Sequence, residues 1–136
     1  MATITQTNIS TEVGSQVSEI TGITDMEHTG IIDPGFASPT SQKLFQVIIT
    51  NNVSSTIYLK IWDRTSVTYT SGSAWDHDPD YVLPCEGNST TDYTFMGEDQ
   101  YQFTAGIRIA INSSGGTAYA GGTLSSGADV LLFVRS

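Results

Sequence analysis

The chain has 136 residues, of which 38% are hydrophobic and 14% are charged, and its formal net charge is −9. Ile, Val and Thr number 40 against 21 for Leu, Ala, Glu and Lys, and because β-branched side chains fit a pleated sheet better than a helix, this composition predicts an all-β fold. The low count of basic residues, five in all, argues against nucleic-acid binding, and no window reaches the roughly 20 apolar residues of a membrane span.

The N-terminal third differs from the rest in charge and pattern. Residues 1–42 contain five acidic residues and no Lys or Arg. Residues 3–9 alternate between Thr and other side chains, which predicts an edge strand, and the chain then becomes rich in Gly, Ser, Thr and Pro. A long irregular connection is unusual in a compact domain unless it is functional or docks elsewhere. We therefore predict an extended acidic N-terminal arm over residues 1–42, followed by one β-sandwich domain over residues 43–136.

From residue 43 onward the strand pattern is strong. Residues 44–50 form a nearly continuous apolar run, as expected of a strand that is covered on both faces. Polar turn residues follow, and residues 56–62 alternate with period two. This pair predicts an antiparallel hairpin with a loop of about five residues. Shorter strands are predicted at residues 67–70, 80–83 and 91–96.

The clearest alternation runs from residue 101 to residue 112, where every second side chain is apolar. Gly106 interrupts this run and predicts a bulge or a bend between two sheets. Gly- and Ser-rich turns follow, and residues 129–135 predict a final strand. Short strands at this spacing favour an antiparallel β-sandwich of the jelly-roll or immunoglobulin-like type.

An acidic loop is the strongest candidate for a cation site. Asp76, Asp78 and Asp80 alternate along it, and carboxylates are the hard oxygen ligands that Ca²⁺ prefers. The loop lacks the Gly and the distant Glu of an EF-hand, and Pro79 favours an ordinary solvated turn. We therefore expect no metal or other cofactor, with the three aspartates as weak alternative ligands.

The residues needed for catalysis are sparse. Nucleophilic catalysis requires a hydroxyl or thiol, a base and an orienting acid, whereas the chain has only His28 and His77 and no nucleophile-elbow motif. Cys85 is the single cysteine, so it cannot form an internal disulfide, and we expect it to be a small apolar side chain beside a turn. The sequence therefore predicts no catalytic residues and a protein that is not an enzyme.

Aromatic residues invite a carbohydrate-binding interpretation, because sugars stack on exposed rings. A β-sandwich of this size uses about as many aromatic residues in its core and on its sheet faces, so packing is the favoured interpretation. The candidate rings are those of Trp62, Trp75, Tyr69, Tyr81, Tyr93 and Tyr101.

A series of features between residues 51 and 135 resembles a known pattern. A strand ends in YLKIWD at residues 58–63, and YVLPCEG and FTAGIRIA follow at 81–87 and 103–110, before a Ser/Gly/Thr-rich loop and a final hydrophobic strand. This order resembles small virion structural proteins of tailed bacteriophages, among them capsid decoration (cement) and tail-associated proteins. The acidic insertion at residues 75–80 departs from that pattern by lengthening the usual strand connection.

The resemblance implies a virion protein that assembles in the host cytoplasm, and no signal peptide is visible at the N-terminus to argue otherwise. The leading hypothesis is a capsid decoration protein that binds the major capsid protein or other virion proteins through its arm and its sandwich edges. We expect a homo-oligomer, with a trimer as one arrangement, and no contact with nucleic acid or membrane. The candidate partner-binding residues are Ile4, Ile9, Trp62 and Trp75.

The alternative hypothesis is a receptor- or glycan-binding module of a phage tail or fibre. Such a module would use Trp62, Trp75 and the loop at residues 76–80. An enzyme would be a third class, but it requires a pocket of titrating residues that the sequence does not reveal.

Overall fold

The computed structural model describes residues 3–10, 15–25, 31–36, 42–70, 74–75, 77–95, 100–113 and 123–135. Within these residues the backbone forms strands and no helix, and every strand pair is antiparallel. The all-β class predicted from the composition is therefore confirmed. The strands are β1 (Thr3–Ser10), β2 (Ser15–Asp25), β3 (Lys43–Asn51), β4 (Ile57–Trp62), β5 (Tyr69–Thr70), β6 (Ala74–Trp75), β7 (Tyr81–Cys85), β8 (Ser89–Thr94), β9 (Tyr101–Gln102), β10 (Arg108–Asn112) and β11 (Thr123–Arg135).

The strands are divided between two main sheets. The larger sheet has six strands in the order β1-β2-β11-β3-β8, with β9 also paired to β3, and the smaller sheet has the order β10-β4-β7. A two-stranded ribbon joins β5 and β6. Side chains from both main sheets form one hydrophobic core, which includes Leu44, Val47, Ile49, Ile57, Leu59, Ile61, Ile109, Ile111, Val130 and Leu132.

The predicted N-terminal arm is not confirmed, because β2 is an internal strand of the larger sheet. It pairs with β1 on one side and with β11 on the other. Ile20 and Ile23 of β2 have 0% and 1% of their surface exposed and belong to the core. The predicted edge strand at residues 3–9 is confirmed, since β1 occupies one edge of this sheet.

A bulge explains why the sequence pattern did not predict β2. Ile20 and Ile23 are three residues apart, whereas side chains on one face of a regular strand are two apart. Their partners on β11 are Val130 and Ala128, so β2 contains one extra residue at this point. Gly22 lies within the bulge at φ +69°, a conformation that a residue with a Cβ rarely adopts, and the extra residue returns Ile23 to the core side.

The predicted hairpin of residues 44–50 and 56–62 is wrong in its pairing. Both strands form, but β3 lies in the larger sheet and β4 in the smaller one. The buried side chain of Asn51 fixes the connection between them: its Nδ2 donates to the carbonyl oxygens of Ser55 (2.8 Å) and Glu86 (3.0 Å), and its Oδ1 accepts from the Val53 N–H (2.9 Å). These bonds anchor the loop to the end of β7, so the chain crosses to the second sheet.

The run at residues 101–112 also divides between the sheets. β9 pairs with β3 in the larger sheet and β10 pairs with β4 in the smaller one, which confirms the predicted bend at Gly106 and shows that the run is not one strand. The backbone passes very close to its neighbour here: a Cβ at Gly106 would lie 2.8 Å from the carbonyl oxygen of Arg64. Only glycine fits this crossing without a shift of the backbone.

A carboxylate holds the same crossing in place. Asp63, directly after β4, accepts hydrogen bonds from the backbone N–H groups of Thr104 (3.0 Å), Ala105 (2.8 Å) and Gly106 (3.3 Å). The Thr104 hydroxyl donates a further bond to it at 3.2 Å. Because four donors converge on one side chain, Asp63 joins the end of the smaller sheet to the segment that leaves the larger one.

Candidate functional site

The outward face of the larger sheet, on the side away from the core, carries a row of half-buried apolar side chains. On β11, Leu131 and Phe133 point away from the core, because their neighbours Val130, Leu132 and Val134 fill it. Strand register places further apolar residues beside them. We call the four residues Val17, Ile48, Leu131 and Phe133 the apolar strip.

The strand pairing makes the apolar strip continuous. Phe133 is paired with Val17 of β2, and Leu131 is paired with Ile48 of β3. Directly opposed residues on one face of an antiparallel pair have Cβ atoms about 5 Å apart, so the four side chains occupy two adjacent rows across three strands. An antiparallel sheet with one solvated face is normally polar on that face, and the apolar strip departs from this rule.

Carboxylates frame the apolar strip. Glu19 is paired with Leu131 from the β2 side, and Asp92 is paired with Ile48 from the β8 side, so an exposed acid closes each end of this row. Asp129 lies two residues before Leu131 on β11, on the same face, and accepts a hydrogen bond from the Gly22 N–H at 2.9 Å. A shallow groove of about 240 Å³ is lined by Glu19 and Asp129 together with Leu131 and Ile48 of the apolar strip.

Two basic residues lie at the far end of the outward face, because the exposed Lys43 of β3 is paired with Arg135 of β11. The Arg135 guanidinium is 5.9 Å from the centre of the Phe45 ring, and that ring is 6.1 Å from the ring of Phe133. The Arg135 Nε also donates to Gln100 Oε1 at 3.2 Å. The face therefore has an apolar centre, three carboxylates at its rim and two basic residues at one end, of which the Arg135 guanidinium is engaged within the chain.

This arrangement suits binding to a complementary surface. Contiguous apolar area with a polar rim is typical of protein contact sites. The carboxylates favour a partner whose own rim is basic, since complementary charge sets orientation and association rate. The groups along the strip are carboxylates, hydroxyls and hydrocarbons, which offer contact area rather than a nucleophile paired with a base.

The acidic loop proposed as a cation site is held against the smaller sheet. Asp80 Oδ2 accepts from the Asp63 N–H at 2.6 Å, and the Asp80 N–H donates to the carbonyl oxygen of Ile61 at 2.9 Å. Asp78 is exposed, and Asp76 lies outside the described residues. In the part of the chain that the structure describes, no three His, Cys, Asp or Glu residues are grouped so that they could hold a metal ion.

The prediction that Trp62 contacts a partner is wrong, because the residue is buried. Its side chain has 0% of its surface exposed and packs with Val67, Ala110 and Ile31. Its Nε1 donates to the carbonyl oxygen of His77 at 3.0 Å. Because a fully covered ring cannot touch a partner of the folded chain, Trp62 anchors the acidic loop instead of offering a contact.

The other candidate contact residues lie in strands whose backbone pairing is defined. Ile4 and Ile9 lie in β1 at the edge of the larger sheet, and Trp75 lies in β6, where it is paired with Tyr69. The side chains of Ile4, Ile9, Tyr69 and Trp75 fall outside the described part of the structure.

Three of the tyrosines considered for sugar stacking pack against the core. The rings of Tyr81 and Tyr101 are stacked with centroids 3.7 Å apart and an interplanar angle of 6°, and Phe95 is 4.3 Å from Tyr101. Burial, and then the nearby Asp80 carboxylate, raise the pKa of Tyr81. Because Tyr81 belongs to the smaller sheet and Tyr101 to the larger one, the stack closes one side of the core. The Tyr93 hydroxyl donates to the carbonyl oxygen of Pro84.

The sequence carried a signal for the apolar strip that residue type alone does not reveal. The run Val130–Val134 is apolar at every position, as is the run at residues 47–49. A strand that is apolar on both faces is expected to be covered on both, yet the described residues cover only one face of β3 and β11. The continuity of these apolar runs therefore indicated the contact face, whereas the two tryptophans indicated other positions.

No family model matches the chain, and no curated protein matches its sequence. Among the residues that the structure describes, there is no helix long and apolar enough to cross a membrane.

Proposed function

We propose that the protein is a non-enzymatic structural protein of a tailed-bacteriophage virion. Its role in this proposal is capsid decoration, and the outward face of the larger sheet docks on the major capsid protein. The observation that carries the proposal is the apolar strip, which leaves two central strands apolar on a face that the chain's own described residues do not cover. The resemblance of residues 51–135 to virion structural proteins supplies the class of partner.

The fold and charge are consistent with this role. The two antiparallel sheets around one core support a β-sandwich of jelly-roll or immunoglobulin-like type. A net charge of −9 favours solubility of the protein before assembly. We propose a homo-oligomer located in the virion, with the shell contact made by the outward face and not by an extended arm.

The contact surface predicts the chemistry of the shell site. Leu131 and Phe133 need an apolar patch opposite them, because burying them against polar groups would leave those groups without hydrogen-bond partners. Glu19, Asp92 and Asp129 need Lys or Arg opposite them for the same reason. The binding site on the capsid protein is therefore expected to be an apolar patch with a basic rim.

The test is binding of purified protein to phage particles that lack it, measured by co-sedimentation. The double variant Leu131→Thr/Phe133→Thr introduces Thr, which is well suited to strands, and removes the apolar centre of the face. The matched control is Val82→Thr, a half-buried apolar residue on the outward side of the smaller sheet. We expect affinity to fall at least about tenfold, which corresponds to roughly 1.4 kcal/mol, in the double variant and to stay unchanged in the control.

The outcomes separate the two functional hypotheses. Equal binding of wild type and double variant would show that the outward face is not the docking surface. Absence of binding to particles, together with binding of the wild type to host cells or a glycan array, would favour the receptor-binding alternative. Thermal unfolding of each variant shows whether any loss of binding reflects loss of the fold.

A further inference from the structure

Three sheet edges in the described structure are protected against pairing with another strand. β7 contains Pro84, which has no N–H to donate. The edge of β10 is covered by Ile32, whose backbone exchanges two hydrogen bonds with Ile109 at 2.8 and 3.0 Å. At the β8 edge, Asp92 lies in the middle of a six-residue strand, and the neighbouring β9 has only two residues. Charge, proline, short length and covering are the usual devices against edge pairing.

Within the residues that the structure describes, β1 has none of these four devices, and its one register irregularity lies at its end, between Asn8 and Ser10. It has eight residues with the sequence TITQTNIS, without charge or proline. In the described part of the chain it pairs with β2 only, on one side. Its other side presents a row of backbone N–H and C=O groups, which is a template for a further antiparallel or parallel strand.

We infer that the β1 edge binds a second copy of this chain, with the two β1 strands antiparallel across a two-fold axis. An edge strand paired with itself in this way is self-complementary, because each strand gives the other the same set of donors and acceptors. The pairing closes on itself as a dimer, and a trimer is the other arrangement considered for the expected homo-oligomer. This inference concerns the protein alone and does not rest on its proposed virion role.

The charge distribution allows a second copy at this edge in spite of the net charge of −9, because β1 itself carries no charged residue. The nearest acid on the neighbouring strand is Glu19, which is paired with Thr5 of β1. Across a β1–β1 pair, the two Glu19 residues are separated by three strand spacings, or about 14 Å. That exceeds the Debye length of about 8 Å at physiological ionic strength, so repulsion between the copies is largely screened.

The pairing has a consequence for the outward face. An antiparallel β1–β1 junction with its two-fold axis normal to the sheet joins two six-stranded sheets into one. Both apolar strips then lie on the same side of the joined sheet. A dimer of this form presents two docking faces in one plane, which raises its effective affinity for a repeating lattice without any new contact.

The experiment measures the self-association of the full chain by sedimentation equilibrium, without particles. The test variant is Thr5→Lys/Thr7→Lys, which places like charges opposite each other in the β1–β1 pair. The matched control is Thr90→Lys/Thr94→Lys, which makes the same two substitutions on the exposed edge strand β8. We expect the wild type to form a dimer and the control variant to have the same dimer dissociation constant. In the test variant this dissociation constant should rise at least about tenfold.

Every outcome decides for or against the inference. A monomeric or trimeric wild type, or equal weakening of both variants, would overturn it. If the test variant fails to fold, hydrogen exchange of the wild type replaces it: the β1 amides gain protection as the concentration is raised from micromolar to millimolar. Protection of β1 that does not change with concentration would likewise overturn the inference.

Discussion

Replacing Asp63 by Asn tests how the crossing between the two sheets is held. The carboxylate receives three backbone N–H donors and the Thr104 hydroxyl. Asn retains one oxygen, which can still accept from the Ala105 N–H now 2.8 Å from Oδ1. It loses the negative charge and the acceptor that faces Thr104.

The size of the effect follows from these bonds. A hydrogen bond to a charged group contributes roughly 1.5–3 kcal/mol, and a buried donor without an acceptor costs about as much. Since Asn keeps part of the arrangement, we expect Asp63→Asn to lower the free energy of unfolding by about 2 kcal/mol. Asp63→Ala removes every acceptor and is expected to cost about 3 kcal/mol.

The pH dependence of this penalty has a definite sign. Burial alone raises the pKa of Asp63, but the N–H groups of Ala105, Thr104 and Gly106 and the Thr104 hydroxyl together hold it below its usual value of 3.8. A folded-state pKa below the unfolded value stabilises the fold at pH values above the unfolded pKa, and this stabilisation is lost as the pH falls through the folded pKa. The difference between wild type and Asp63→Asn is therefore full at neutral pH and shrinks below about pH 4.

The assay is urea unfolding of the wild type and the variants at neutral and acidic pH. The control is Asp92→Asn. Among the described residues, its exposed carboxylate accepts from the side chains of Gln46 and Thr94 only, so its cost is expected to stay below about 0.5 kcal/mol. The reasoning fails if Asp63→Asn costs no more than the control, or if its penalty is the same at acidic pH.

Three further measurements probe other parts of the fold. Burial lowers the pKa of Lys60 to about 8, so between about pH 8 and 10 the unfolded chain binds more protons than the folded chain. Urea unfolding of the wild type should therefore show a free energy of unfolding that rises with pH over this range. The same rise in Lys60→Met would contradict the assignment to Lys60. Gly106→Ala should lower the unfolding free energy by about 1–3 kcal/mol, since its Cβ meets the Arg64 carbonyl oxygen at 2.8 Å; a melting temperature equal to that of wild type would argue against this close approach. Cys85 is 1% exposed, so a thiol reagent should label it only as the chain opens; labelling at the rate of a free thiol would show that the site is accessible.

The sequence predicted where strands form far better than how they pair. The strands at residues 44–50, 56–62 and 129–135 follow from local alternation, which depends only on side-chain type and order. Whether the first two pair with each other depends on the Asn51 side chain, which bonds to Glu86, 35 residues away. The bulge in β2 likewise depends on its register against β11, so period-two reasoning did not predict one strand of 11 residues there.

The same distinction explains the outcome for the site. Large aromatic residues often make contacts, which made Trp62 a candidate, but its burial depends on Ala110 of β10 and on Ile31, both distant from it in sequence. The sequence places Leu131 and Phe133 in an apolar strand, and only the register shows that they share a face with Ile48 and Val17. Residue type pointed to Trp62, which is buried, whereas the continuous apolar run of β11 indicated the outward face.

The outward face and the β1 edge differ in charge, and this difference separates their responses to salt. Glu19, Asp92 and Asp129 frame the face, so its binding to a basic rim should weaken as salt screens the attraction. β1 carries no charge, so pairing through its backbone should depend little on salt, or strengthen slightly as the residual repulsion between two acidic copies is screened. We therefore expect the dimer dissociation constant to hold steady or fall between about 0.05 and 0.5 M salt while affinity for particles falls over the same range. If both interactions weakened together, one shared surface, and not two separate ones, would account for them.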